Sequence, residues 1–397
     1  MRVGFVGCGF TGDYYCQGLK PYPQLELVAV TDKDPERASQ FCAFHSVKHA
    51  PTLDALLADQ SIELIVNLTH SSSHFEVSKA CLEAGKHVYS EKPLATTFSH
   101  ARALVEMANA KGLYLSAAPC SLLGETAQTL WRALHNHEVG SVRAVYAELD
   151  DGPLQLSKPN LWRSPSGASY AYREEFEVGV TVEHAGYYLS WFAAFFGPAK
   201  TITTFASCTW PDKQMTFDEP LYMTTPDFTV ACITFESGVV ARLTCSLVGP
   251  YNHVLRIVGE TGILSVNDGW NFSSPVYLDR YTERKFKAER FPITKALPFI
   301  ANWLGHYPRT YPPVKKSSLR NQWSKYRMDY GRGIAELARA ITEQRPPRLP
   351  SDFCLHVNEL VLAIQNPTGA PYEVTTTFKR LEPMNDAALK QLVPAKW

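Results

Sequence analysis

The sequence carries no surplus of either charge: Lys+Arg and Asp+Glu stand at 39 each over 397 residues. A balanced surface has no net field to hold a polyanion. Nucleic acid and an anionic membrane surface are therefore excluded as general partners. Long apolar runs are absent too. A membrane-spanning helix needs roughly 18 or more successive apolar residues, and the most apolar stretch, Tyr187 to Phe196, is about half that and is broken by Ser190. Met1-Arg2-Val3-Gly4-Phe5-Val6-Gly7 runs straight into a buried-strand pattern without a cationic leader, so no signal peptide is expected. The nine cysteines, from Cys8 to Cys354, include no Cys-x-x-Cys pair. That spacing argues against a zinc site or a disulfide framework, and for reduced thiols in a cytoplasmic protein with no metal. There is no internal repeat and no low-complexity segment.

What is present is a change of rhythm. The chain is too long for one core, so two domains are expected. Over residues 1–121 short apolar runs alternate with helical patterns, which predicts a parallel sheet covered on both faces. Arg2–Val6, Leu25–Thr31, Ile62–Leu68, Lys86–Ser90 and Leu113–Ala117 read as its strands. Residues 122–397 read as an α+β domain. Its mostly antiparallel open sheet is drawn from runs between Thr201 and Val266, with helices near Glu125–His137, Glu183–Phe195 and Tyr330–Gln344. The tail from Tyr372 reads as an edge strand. Residues 285–327, basic, aromatic and proline-rich, read as an irregular excursion.

The first chemistry-bearing motif is Gly7-Cys8-Gly9-Phe10-Thr11-Gly12, a Gly-x-Gly-x-x-Gly that follows a strand and opens a helix. In that context Gly7 makes the turn, Gly9 admits the pyrophosphate and Gly12 allows close helix–strand contact. Asp32 closes the second strand 20 residues past Gly12, where a carboxylate bonds the adenosine ribose. A carboxylate there repels a 2′-phosphate and favours NAD over NADP, although the adjacent Lys33 weakens the discrimination.

Gly85-Lys86-His87-Val88-Tyr89-Ser90-Glu91-Lys92-Pro93-Leu94 resembles an element of the Gfo/Idh/MocA oxidoreductases, named for glucose–fructose oxidoreductase and inositol dehydrogenase. The resemblance includes the glycine motif, the strand Leu64-Ile65-Val66-Asn67-Leu68-Thr69 with His74 after it, Trp162-Arg163 and the segment Gly179–Leu189. It implies a Rossmann domain followed by an α+β domain, and a cofactor site that includes Asn67, Thr69, His74, Glu91 and Lys92. It also implies that Lys92 lies beside the nicotinamide and the substrate hydroxyl. The family's Asp-x-x-x-His is not kept here: Glu183 falls at the aspartate and Tyr187 at the histidine, a position where some members use tyrosine. Residues i and i+4 share a helix face, so both can address one substrate. A tyrosine base needs a lowered pKa, which a nearby Lys92 ammonium would provide. His184, about 100° around the helix from Glu183, is the other candidate base. Trp162-Arg163 and the loop Ser164 to Arg173 are expected to line the substrate side, where Trp162 and Arg163 suit a polyhydroxylated ring or an anionic group, and members of the family commonly pair through the second sheet.

The expected activity is hydride transfer to or from a secondary alcohol or ketone of a sugar, cyclitol or related polyol, in a homodimer or homotetramer. Two other readings stay open at this point. One is an NAD-dependent glycoside hydrolase or lyase that oxidises its substrate transiently. The other is a dinucleotide-binding regulator without chemistry.

Overall fold

Strands whose residues are apolar on both faces have to be covered on both faces. Val3, Phe5, Leu64, Ile65, Val66, Val88 and Tyr89 are all fully buried, and they set the first layer of the fold. The computed structural model describes residues 1–213, 221–281, 309–314 and 328–392. Strands β1 (Arg2–Val6), β2 (Glu26–Thr31), β3 (Lys48–His49), β4 (Leu64–Asn67), β5 (His87–Ser90) and β6 (Leu115–Ala117) form one sheet in the order β3-β2-β1-β4-β5-β6. Every pairing in it is parallel. The strand order reverses between β1 and β4, which opens a crevice at the carboxyl ends of the strands, the usual ligand site of such sheets.

Helices α1 (Phe10–Leu19), α2 (Pro35–His45), α3 (Leu53–Ala58), α4 (His74–Glu83) and α5 (Phe98–Ala110) cover this sheet. Their ends carry ordinary local signals. Asp34 accepts from the N–H groups of Glu36 and Arg37 with Pro35 in the first turn. Gly85, at φ +77°, turns the chain after α4.

The second layer contains α6 (Glu125–His135), β7 (Val142–Asp150), α7 (Tyr172–Val178), α8 (Gly186–Phe196) and β8 (Ala199–Ser207). It continues with β9 (Phe228–Phe235), β10 (Val240–Ser246), β11 (Leu255–Gly259), β12 (Gly262–Val266), β13 (Val276–Arg280) and β14 (Arg309–Thr310). After these come α9 (Gly331–Thr342), α10 (Ser351–Gln365), β15 (Tyr372–Glu373) and α11 (Asp386–Leu392). Its sheet runs β14-β13-β12-β11-β7-β10-β9-β8-β15. Neighbours are antiparallel except the parallel pair β7–β10. Tyr188, Leu189, Trp191 and Phe192 of α8 are buried, whereas Tyr146, Phe205 and Val240 stand exposed on the strands.

The Rossmann sheet and the mostly antiparallel second sheet agree with the sequence reading, and Tyr372–Glu373 does pair at the β8 edge. Seven elements escape that reading: β3, α3, α7, β13, β14, α10 and α11. The helix expected across Gly179–Leu189 is in fact broken. Gly179 at φ +90° ends α7, a π-helical turn spans Thr181–Ala185, and α8 starts at Gly186. Most of 285–327 lies outside the described residues; within 309–314, β14 adds to the β13 edge. Among the described residues no helix is long and apolar enough to cross a membrane.

After β14 the chain returns to the first layer. Helix α9 lies on α1 with the backbones of Gly331 and Gly18 in close approach. Helix α10 packs on α5 and β6 on one side and on α8 on the other. A buried charge cluster fixes this return. Arg332, fully buried, reaches Glu125 Oε2 at 2.8 Å and Asp329 Oδ2 at 3.0 Å. Tyr22 donates to the same Asp329 oxygen at 2.6 Å. Removing the guanidinium strands two buried carboxylates, so Arg332→Ala is expected to cost about 3–5 kcal/mol. Urea unfolding measures it, and a loss below about 1 kcal/mol contradicts the assignment.

Candidate active site

The crevice begins at the glycine turn. Gly7 sits at φ +103°, and a Cβ there would come within 2.6 Å of the Leu68 carbonyl oxygen, so β1 and β4 close tightly around it. Gly9 is the opposite case. It caps α1, no side chain satisfies the first-turn N–H groups, and a Cβ on it would meet nothing within 4 Å. Open space above uncapped N–H groups at the positive end of a helix dipole is a pyrophosphate cradle. A Cβ on Gly12 would lie 3.3 Å from the Gly7 oxygen and 3.4 Å from the Phe41 ring. The residues present therefore fit a dinucleotide.

Asp32 follows β2 directly and is held by two backbone donors, Cys8 N–H at 2.7 Å and Asp34 N–H at 2.9 Å. Asn67 and His74 are buried braces. Asn67 donates to the His74 oxygen at 3.1 Å and to Ser78 at 3.0 Å, and its own oxygen accepts from Thr69 Oγ1 at 2.7 Å. The His74 nitrogens lie 2.6 Å from the Pro93 oxygen and 3.0 Å from the Thr69 oxygen. Burial holds that ring's pKa down, so its single proton makes a hydrogen bond to one of the two carbonyls. Glu91 accepts from the Lys92 N–H at 2.8 Å and from Tyr15 OH at 2.7 Å.

Lys92, just past β5, meets the second domain. Its ammonium donates to Glu183 Oε2, and both side chains are largely buried. Burial opposes the charge on Lys92, but the carboxylates of Glu183, Glu91 and Glu175 outweigh it and raise the pKa. Burial raises Glu183, and the Lys92 ammonium only partly reverses this. Tyr187 lines the same inner cavity, and among the described residues its hydroxyl has no hydrogen-bond partner. The expected lowering of its pKa by Lys92 does not occur. Burial, with Tyr330 and Glu91 nearby, raises it instead, because Lys92 spends its charge on Glu183.

His184 points elsewhere. Its Nδ1 lies 2.8 Å from Asp151 Oδ2 and its Nε2 3.1 Å from Glu175 Oε1. The Asp151 contact is off the hydrogen-bond line and is ionic in character. Burial would strip the proton from this ring, but Asp151 and Glu175 reverse the effect and hold the pKa at about 10. Tyr170 OH donates to Glu175, and His253 Nε2 lies 2.8 Å from Asp151 Oδ1. Trp270 completes the wall, with ring centroids 4.7 Å from Tyr187 and 4.8 Å from His253. Tyr170 belongs to the loop Ser164 to Arg173 expected on the substrate side, but Asp151, Glu175, His253, Trp270 and Tyr330 did not stand out in the sequence. They come from separate segments without a local motif, although Glu174-Glu175 at a helix start was a legible signal.

The domains grip each other around this site. Glu174 accepts from the Ser71 N–H and Oγ, both at 2.6 Å, and from His70. Burial opposes that charge, but the His70 and Ser71 bonds win and lower the pKa to about 2. Ser166 donates to Asp13 through its N–H at 2.9 Å and through its hydroxyl at 2.7 Å, and Arg37 bonds both Ser166 O and Cys8 O. Phe10 and Thr11 border the inner cavity. Trp162 and Arg163 lie outside it, in an adjoining outer cavity. Arg163 donates through Nη1 to the Asn160 and Trp162 carbonyls at 2.9 and 2.8 Å.

A dinucleotide cradle at a Rossmann switch point, opening onto a buried lysine paired with a glutamate of a second α+β domain, defines an NAD(P)-dependent oxidoreductase. Residues 1–118 match the family model for the oxidoreductase family with NAD-binding Rossmann fold, and 127–265 that for the GFO/IDH/MocA C-terminal domain. The chain belongs to the Gfo/Idh/MocA family. It is 24% identical over 300 residues to trans-1,2-dihydrobenzene-1,2-diol dehydrogenase of Sus scrofa, which covers 75% of this chain and 81% of that one. A 4-carboxy-2-hydroxymuconate-6-semialdehyde dehydrogenase of Sphingobium sp. is 32% identical over 114 residues, only 28% of this chain and 36% of that relative. The WlbA dehydrogenase from Bordetella pertussis, solved with NADH and UDP-GlcNAcA, superposes with a TM-score of 0.70 at 17% identity. That superposition covers 94% of this chain and 98% of the other.

Two outcomes test this geometry. Gly9→Val should fold with near-unchanged stability and lose at least about tenfold in dinucleotide affinity, whereas Gly7→Ala should fail in stability first, because its Cβ meets backbone. Thermal melts with a cofactor titration separate the two, and equal behaviour of the variants contradicts the cradle. The second outcome concerns pH. The folded pKa of His184 lies above its unfolded value, so its contribution to stability is complete below about pH 6.5 and is lost as pH rises toward 10. His184→Gln should cost about 3–5 kcal/mol at pH 6.5. The gap to wild type should narrow steadily up to pH 10 in urea titrations, and a pH-independent gap rules out a charged imidazole.

Proposed function

We propose that the protein transfers hydride between NAD(H) and a secondary alcohol or ketone on a sugar, cyclitol or related polyol. The convergence of Lys92, Glu183 and Tyr187 on one cavity beside the glycine crevice carries this reading. Asp32 at the ribose position supports NAD over NADP, and the sugar-nucleotide and NADH in the WlbA complex are in keeping with both parts.

When bound, the nicotinamide supplies the hydride acceptor or donor. The chain's own groups handle the proton. The Lys92 ammonium, charged throughout the neutral range, stabilises negative charge developing on the reacting oxygen. The Tyr187 hydroxyl, kept protonated by its surroundings, donates to that oxygen when a ketone is reduced. In the oxidative direction the same path runs in reverse. The Tyr187 oxygen takes the alcohol's proton as its own passes by way of the Lys92 ammonium to Glu183, the carboxylate whose burial gives it a raised pKa. In reduction Glu183 reprotonates Tyr187 by that route. His184 already holds its proton between Asp151 and Glu175, so it positions these carboxylates and is not the base.

The test is a steady-state assay on a panel of polyols and sugars with NAD and NADP in parallel. Turnover should release NADH and favour NAD. Lys92→Ala should nearly abolish it, and Tyr187→Phe should lower kcat by about 10²–10⁴. His184→Gln should be far milder in kcat than in stability. A mild Tyr187→Phe alongside a dead His184→Gln would sink the assignment.

A further inference from the structure

The hairpin over residues 162–170 leaves the second domain and reaches back to the glycine motif of the first. Its arms are tied to each other. Tyr170 N–H donates to the Trp162 oxygen at 3.2 Å, and Ser164 N–H to the Ala168 oxygen at 2.9 Å. Ala168 N–H returns a bond to Ser164 Oγ at 3.1 Å, and Gly167, at φ +90°, makes the turn. Ser164 and Ala168 are buried inside this unit, while Pro165 and Gly167 stand exposed beside a half-buried Ser166. The tip is therefore held in shape by its own bonds and not by the surface on which it rests. The base is fixed in the second domain, where Tyr170 OH donates to Glu175.

That surface is made by the first turns of α1 and α2. Ser166 donates to Asp13 Oδ2 through its N–H at 2.9 Å and its Oγ at 2.7 Å. Its carbonyl accepts from Arg37 Nη1 at 2.9 Å, and Arg37 Nη2 donates to its Oγ. Asp13 is fully buried, and its other oxygen lies 2.5 Å from His45 Nε2, so this anchor is braced from behind. Arg37 Nε donates to the Cys8 oxygen at 2.7 Å, and Cys8 N–H is the donor that holds Asp32. At the other end of the hairpin the Tyr170 ring meets the Phe10 ring edge-on, with centroids 5.1 Å apart. The hairpin is thus tied to the glycine motif on both sides of Gly9, at Cys8 through Arg37 and at Phe10 through Tyr170. Gly9, with the open space above it, lies between these ties.

We propose that residues 162–170 are a clasp on the cofactor site. Closed on Asp13 and Arg37, it retains a dinucleotide whose pyrophosphate lies at Gly9 and whose ribose lies at Asp32. The parting of Ser166 from those two side chains sets the rate at which the dinucleotide enters and leaves. The clasp rests on the dinucleotide part of the reading above and is independent of which substrate reacts at Lys92. A clasp differs from an ordinary contact in its effect on rates. A contact made only with the bound cofactor slows release alone, whereas a loop closed in both the free and the loaded protein slows entry and release together.

Stopped-flow fluorescence, with excitation of the protein's tryptophans and detection of NADH, gives both rates for the wild type, Ser166→Ala and Arg37→Met. Ser166→Ala removes one hydroxyl from a half-buried hairpin tip and leaves the fold and the cradle intact. Arg37→Met keeps the apolar stem and removes the guanidinium. Entry and release should both rise, by about two- to tenfold in Ser166→Ala and by at least about tenfold in Arg37→Met. The Kd of Ser166→Ala should shift by less than about threefold. A rise in release alone in Ser166→Ala would make the hairpin a plain cofactor contact, and unchanged rates in that variant would make it a fixed strut. Either result overturns the proposal, as does a wild-type protein that binds no NADH. Rates that rise together in a protein that yields no NADH from any polyol would keep the clasp and discard the hydride-transfer reading.

Discussion

Everything at this site turns on one buried contact, the Lys92 ammonium on the Glu183 carboxylate. The lysine belongs to the end of a Rossmann strand and the glutamate to a turn of the second domain. Either charge alone in that place would carry a desolvation penalty of several kcal/mol. The pair is therefore an electrostatic reason for the domains to dock in one register. Glu174 on Ser71 and His70, and Ser166 on Asp13 and Arg37, repeat the pattern at the rims of the crevice. In each contact a polar group of the second domain satisfies backbone or charged groups of the first.

The surplus of carboxylates explains the protonation states. Glu91, Glu175 and Glu183 all act on Lys92, and Asp151 lies beyond His184. With a single lysine among four acids, the cluster gains by holding a second cation, and His184 supplies it despite complete burial. The same surplus keeps Tyr187 a phenol, since a phenolate would add to the negative charge already there. One electrostatic condition thus keeps the lysine and the histidine charged and the tyrosine protonated.

The first domain was legible because its signals are local. Short continuous apolar runs, an Asp-Pro helix start, a glycine after α4 and a glycine motif in its strand–helix context each act over a few residues. Lys92 and Glu91 were legible through a contiguous motif. Asp151, Glu175, His253, Trp270 and Tyr330 were not, because no short segment contains two of them in a recognisable spacing. Their association is a product of the second sheet's topology: β7 lies between β11 and β10 and delivers Asp151 beside His253, while the residues after β12 bring Trp270 over both. Tyr330 arrives only with the return of the chain to α1, anchored by Arg332.

The π-helical turn at Thr181–Ala185 interrupts the regular winding expected of this segment, yet Glu183 and Tyr187 still line one cavity. On a regular α-helix Glu183 and Tyr187 would share a face, with His184 about 100° away. A π turn spreads its residues more widely, and such single turns recur at functional sites. Here it lets consecutive residues serve different partners: Glu183 turns to Lys92 across the domain boundary while His184 turns to Asp151 and Glu175 within its own domain. Gly186 then restores regular winding, and Tyr187 enters the cavity from the first turn of α8. Its ring is set by Trp270 on one side. A glutamate in place of aspartate belongs to the same arrangement, since the longer side chain spans the domain gap to the lysine from a widened turn.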